Sequence, residues 1–167
     1  MARAKLEETK HMLNRRHLII GAASIAALPP TIGGAQTPDL TVNGYSVHPE
    51  DAKQRMVFTP RILRMPAGST VNFVLSNPTH NTQTTPGMLP DGAQPWRSGF
   101  GQPIAVTLTT PGYYGYHCLP HRALGMVGLI IVEGDGVEAN LAAAKTVKHP
   151  GRAGKVWDAI WQEIKTA

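Results

Sequence analysis

The sequence holds a single cysteine, Cys118, in 167 residues. That excludes an intrachain disulfide framework and leaves the thiol as a buried hydrophobe, a nucleophile or a metal ligand. Charged residues are 16% and aromatics 6%, against ~25% charged in an average soluble domain. Hydrophobic residues still make up 42%, too many for intrinsic disorder. The apolar run Leu18–Leu28 falls short of the ~20 residues a membrane span needs. The length admits one domain with appendages and excludes a multidomain oxidase or a channel. The formal charge of +5 would suit nucleic acid only if it were clustered. Residues 1–35 carry a net +3, which leaves +2 for the rest, and no Lys/Arg run is interleaved with aromatics. No nucleic-acid partner is therefore expected.

The first 35 residues read as an export signal. Arg15-Arg16 end a basic segment, Leu18–Leu28 is apolar, Pro29-Pro30 break it, and Gly33-Gly34-Ala35 offers small residues for cleavage. Asn14-Arg15-Arg16-His17-Leu18-Ile19 has the shape of a twin-arginine signal, with a general secretory signal as the alternative. Cleavage after Ala35 would deliver the mature chain to a bacterial periplasm, with no stable membrane insertion.

The 17 glycines and 14 prolines show no collagen period and read as turns between short strands. Strands are expected at Asp39–Val47, Gln54–Thr59, Arg61–Met65 and Val71–Ser76, then around Ile104, Val106 and Leu108, and at Tyr113–Cys118 and Met126–Glu133. In the fourth, Val71, Phe73 and Leu75 alternate with Asn72, Val74 and Ser76, the period of a half-buried strand. The last is nearly all apolar, as a central strand would be. This is the pattern of an antiparallel sandwich or barrel. After Gly134 the composition turns helical. Asp135 with Glu138 resembles a capping box, Val137–Lys145 is rich in helix formers, and a second helix is expected from about Gly154 to Lys165. Trp157, Ile160, Trp161 and Ile164 lie on one face of it, suited to packing on the sandwich. The expected divisions are 1–35 signal, 36–134 sandwich and 135–167 C-terminal helical extension.

Cys118-Leu119-Pro120-His121 followed by Gly125-Met126 supplies a thiolate, an imidazole and a thioether within one short loop. A second histidine, His80, ends the Val71–Ser76 strand region. Two imidazoles and a thiolate in a trigonal set, with a weak axial Met, make a blue-copper electron-transfer site. The thiolate mixes strongly with copper, and the weak Met lets both oxidation states share one geometry, so little rearrangement accompanies electron transfer. Zinc also takes Cys and His but prefers tetrahedral sites without thioether. His80, Cys118, His121 and Met126 are thus the candidate ligands of one copper ion.

The chain resembles the cupredoxins and, among them, the pseudoazurins. The matching stretches are Met56–Pro60 (MVFTP), Pro66–Phe73 (PAGSTVNF), His80-Asn81, Gly87–Ala93 (GMLPDGA), Thr110–His121 (TPGYYGYHCLPH) and Leu124–Gly128 (LGMVG). With the helical tail, the likeness covers essentially residues 39–166. It implies a mainly β, cupredoxin-like Greek-key β-sandwich with two C-terminal α-helices, and one type 1 copper on the four residues named above. It implies a monomeric, periplasmic one-electron carrier, not an enzyme, whose redox partners include copper nitrite reductases or cytochromes. Electrons would pass through the exposed edge of His121, and the backbone N–H of Asn81 would steady the cysteine sulfur. Arg122 and Leu124 stand where the family often has an aromatic residue and Met. The family's lysine ring is thin here, with Lys53, Arg55, Arg61, Arg97 and Arg122 as the available cations. Met56, Met88 and Pro120 are candidates for an apolar docking surface. Strand alternation points His117 away from the metal, and His48 and His149 are expected at the surface. A small copper reductase would need an open metal position or a second metal with further histidines. A copper-handling protein would favour exposed Met/His/Cys clusters. The mature sequence offers neither.

Overall fold

The structure is a computed structural model that describes residues 40–166. The expected export signal and its cleavage site lie outside the described residues. Among the described residues, eight strands form two four-stranded sheets. β1 (Thr41–Val47), β2 (Arg55–Thr59), β4 (Ser69–Leu75) and β6 (Ile104–Leu108) order as β2-β1-β4-β6. β3 (Ile62–Pro66), β5 (Gln83–Thr84), β7 (Gly112–His117) and β8 (Val127–Glu133) order as β3-β8-β7-β5. Pairs β1–β4 and β3–β8 are parallel and the others antiparallel. The expected mainly β sandwich with a helical tail is the observed one, but it is not purely antiparallel as the pattern suggested, because β1 lies parallel to β4 and β3 to β8. β5 was not anticipated from the sequence.

The alternation in β4 does what its pattern predicts: Val71 and Phe73 are buried while Asn72 and Val74 face solvent. They join Val42, Phe58, Met65, Trp96, Tyr114, Tyr116, Ile130 and Val132 in a core between the sheets. The near-continuous apolar run of β8 has a different cause. Ile130 and Val132 point into that core, while Val127, Leu129 and Ile131 point outward into a second cluster with Met88, Tyr113 and the tail residues Ala144, Ala153, Trp157 and Ile160. A strand covered on both faces has no polar face to show.

The tail begins as a short 3₁₀ turn, Val137–Asn140, and continues as α1 (Leu141–Thr146) and α2 (Ala153–Thr166). The capping box expected from Asp135 and Glu138 does not form. Gly136 caps the 3₁₀ turn without a side-chain bond, and Glu138 instead accepts a 2.6 Å hydrogen bond from the Tyr113 hydroxyl. Asn140 at the start of α1 makes no cap either. Its side chain grips β7: Oδ1 accepts from Tyr113 N–H at 2.9 Å and Nδ2 donates to Tyr113 O at 2.8 Å. Trp157 is buried, stacked between His149 and Trp161 at centroid distances of 5.0 and 5.1 Å. His149 is therefore not a free surface residue as expected. It is half-buried and also bonds Arg122.

Candidate metal centre

The candidate ligands come from two segments. The first follows β4. Asn77 forms a tight turn, its Oδ1 accepting from Thr79 N at 2.9 Å, and its carbonyl accepts from His80 N at 3.1 Å. His80 O accepts from Gly101 N at 2.7 Å. Gly101 has φ 65, and a Cβ there would stand 2.8 Å from Pro78 Cα. Only glycine brings the two segments this close.

The second segment is the loop joining β7 to β8. Cys118 N–H donates to Met126 O at 3.0 Å, extending the β7–β8 ladder by one step. Inside that closure His121 N bonds Cys118 O, and Met126 N bonds His121 O at 3.2 Å. Arg122–Leu124 form a 3₁₀ turn, released by Gly125 at φ 93. Cys118, His121 and Met126 are thus held by one hydrogen-bonded frame.

Three donor atoms converge. His80 Nδ1 and His121 Nδ1 are 3.0 Å apart, and Cys118 Sγ lies 3.8 Å from the first and 3.4 Å from the second. Among the described residues these three form the metal-competent cluster of His, Cys and acidic side chains. The centre of that triangle is about 2.0 Å from each corner, close to the bond a first-row metal makes with imidazole nitrogen and a little short of one to sulfur. The donors present fit such an ion in size and type. His80, Cys118 and Met126 are fully buried, and His121 is half-buried. The Met126 methyl packs over β1, where a side chain at Gly44 would crowd it.

Burial, then the charge of His121, lowers the His80 pKa and favours its neutral, ligating form. Burial pushes the Cys118 thiol up, opposed by the backbone N–H groups of Asn81 and His121 facing the sulfur. The Asn81 backbone N–H thus faces the sulfur as the family resemblance implies. A bound cation would deprotonate this thiol. Ser46 on β1 was not foreseen. Its Oγ lies 2.9 Å from His80 Nε2 and fixes the ring from behind.

His117 points away from the cluster, as strand alternation predicts. Its Nδ1 is 2.8 Å from Thr85 Oγ1, and its Nε2 is 3.2 Å from Gln83 Nε2. Asn81 Oδ1 accepts from Leu119 N–H at 2.7 Å, tying the two ligand segments together, and its Nδ2 donates to Gln83 Oε1 at 3.2 Å. The sequence carried no signal for Gln83 and Thr85, because the threonines that alternate with them are equally polar.

Around His121 the exposed apolar residues include Leu119, Pro120 and Leu124, and Met56 is half-buried beside Leu124. Met88 is a correction. It is fully buried in the tail cluster, seated against Gly115 of β7, where a side chain would collide with it. Arg55 and Arg152 flank a notch floored by Met56 and Leu124. Arg152 was not anticipated as a cation of this face. Lys53, Arg55 and Arg97 are exposed, while Arg61 and Arg122 are half-buried.

Residues 45–133 match the copper binding proteins of the plastocyanin/azurin family. The chain is 42% identical over 109 residues to a pseudoazurin of Paracoccus pantotrophus, covering 65% of this chain and 74% of that protein. It is 34% identical over 147 residues to a pseudoazurin of Methylorubrum extorquens, covering 88% and 96%. The crystal structure of pseudoazurin from Methylobacterium extorquens AM1 superposes with a TM-score of 0.67 at 36% identity, over 75% of this chain and 98% of that one. The chain therefore belongs to the plastocyanin/azurin family of copper binding proteins and, within it, to the pseudoazurins, which are blue copper electron carriers and not enzymes.

Proposed function

We propose that His80, Cys118, His121 and Met126 hold one copper ion, and that the protein carries single electrons between redox partners in a bacterial periplasm. Copper bound there supplies a one-electron couple, Cu(I)/Cu(II), with little change of geometry. The observation that carries the reading is the convergence of two imidazole nitrogens and one cysteine sulfur on a space of metal size. The chain's own part is to hold those donors still. Ser46 accepts the Nε2–H of His80, which leaves Nδ1 with a free lone pair. The Cys118–Met126 backbone closure and the Asn81–Leu119 bond keep both segments from relaxing apart.

Of the four ligands only His121 reaches solvent. Its edge, rimmed by Leu119, Pro120 and Leu124, is the port where a partner would dock. A small apolar patch suits brief, weak encounters, and Arg55 and Arg152 beside it would orient an acidic partner. A copper nitrite reductase or a cytochrome fits this role. Residues 1–35 would direct export, and 135–167 would act as an integral covering layer of the sandwich. No helix among the described residues is long and apolar enough to cross a membrane.

The test is stopped-flow mixing of the reduced, copper-loaded protein with a copper nitrite reductase across a range of salt. Second-order electron transfer that slows as ionic strength rises supports the reading. No reaction with a nitrite reductase or a cytochrome would remove the proposed partners.

A further inference from the structure

The side chains beside the metal centre form a hydrogen-bond chain whose direction is set at one end. Leu119 N–H can only donate, so the Asn81 atom 2.7 Å from it must be the carbonyl oxygen. Asn81 then presents its NH₂, and Gln83 must answer with Oε1 at 3.2 Å. Gln83 in turn presents its own NH₂ to His117 Nε2 at 3.2 Å. A neutral imidazole accepting at Nε2 carries its proton on Nδ1, where Thr85 Oγ1 accepts it at 2.8 Å. Asn81, Thr85 and His117 are buried and Gln83 is half-buried, so water is a poor substitute partner. Reversing any link would set donor against donor along the chain.

We propose that Gln83 and His117 are positioning residues of the metal centre. By fixing which way the Asn81 amide faces, they lock the His80 segment to the Cys118 loop through Leu119 N–H. Gln83 and His117 touch neither the metal nor a reacting atom. They act through Asn81, and their effect is to hold the spacing between ligands from separate segments. The inference rests on the copper reading for its consequence, though none of the side chains in the hydrogen-bond chain is itself a candidate ligand.

The test therefore begins on copper-free protein. Nitrogen-15 NMR should find His117 protonated on Nδ1 and bare on Nε2. Gln83→Met, close to glutamine in size but without hydrogen bonds, should speed amide exchange of Leu119 about tenfold, the loss of one hydrogen bond. Gln83→Glu should keep Leu119 protected, because a carboxylate still accepts from Asn81. It should also invert His117 to the Nε2–H form, since the carboxylate now has to be donated to. After copper loading, Gln83→Met should change the visible spectrum and Gln83→Glu should not. A wild-type His117 protonated on Nε2 would overturn the proposal without any variant. So would unchanged Leu119 exchange in Gln83→Met, or a Gln83→Glu protein that behaves like Gln83→Met. If the NMR results hold but wild type gives no copper-dependent band, the metal assignment fails and the chain's direction stands.

Discussion

Replacing Asn140 by Ala tests whether the tail is a structural layer of the sandwich. At Tyr113 the far edge of β7 has no strand beside it, because β5 pairs only with Tyr116 and His117. The Asn140 amide fills that place with two hydrogen bonds of 2.9 and 2.8 Å to one residue's N–H and C=O. Each bond contributes about 1 kcal/mol, and a backbone group left unpaired where water enters poorly costs about 1–3 kcal/mol. Tyr113 is only 5% exposed. The expected loss for Asn140→Ala is therefore about 2–4 kcal/mol, or about 6–12 °C in Tm for a domain of this size. Urea unfolding of the copper-free protein measures the first, and a thermal scan the second. The site lies in the loop at the other end of β7, so the visible spectrum of the copper-loaded variant should match wild type. A loss below about 0.5 kcal/mol, the range of an ordinary surface substitution, would refute the clasp.

Ser46→Ala removes the partner of His80 Nε2 and should weaken copper binding by about 10- to 100-fold, read by competition with a chelator; unchanged affinity would show that the ring is held without it. Trp157→Ala empties the centre of the tail cluster and should cost about 3–5 kcal/mol by denaturant titration, with the tail's helical signal lost first. Burial and the Arg122 charge lower the His149 pKa from 6.5 to about 4, only partly opposed by Asp158. Between those values the unfolded chain takes up a proton that the folded chain refuses. Stability should thus be steady above pH 6.5 and fall as pH drops toward 4. His149→Phe keeps the stack on Trp157 and should remove its share of that slope in the copper-free protein, while buried His117, whose pKa is likewise lowered to about 4, keeps its own share.

The candidate donors were legible because the logic of three of them is local. Cys118, His121 and Met126 share one loop, and His80 follows a strand whose alternation is clear. β4, with its clear alternation, and β8, with its continuous apolar run, came out within two residues of their expected ends. What escaped depends on contacts distant in sequence. β5 is two residues long and polar, and exists because β7 offers it an edge. Met88 sits between turn residues and reads as loop, yet Gly115 leaves a hole on β7 that its side chain fills. His149 looks like a surface histidine until α2 folds back and lays Trp157 against its ring. Glu138 has the spacing of a capping residue, but the Tyr113 hydroxyl takes it. Ser46 carried no signal, since a serine ending a strand has many uses.

The most direct test of the copper assignment is an optical titration of the purified protein with cupric ion, in wild type and in Cys118→Ser. Wild type should develop an intense thiolate-to-copper band that saturates at one ion per chain, and Cys118→Ser should develop none. A band that persists without the thiol, or a wild-type protein that stays colourless at excess copper, would contradict it.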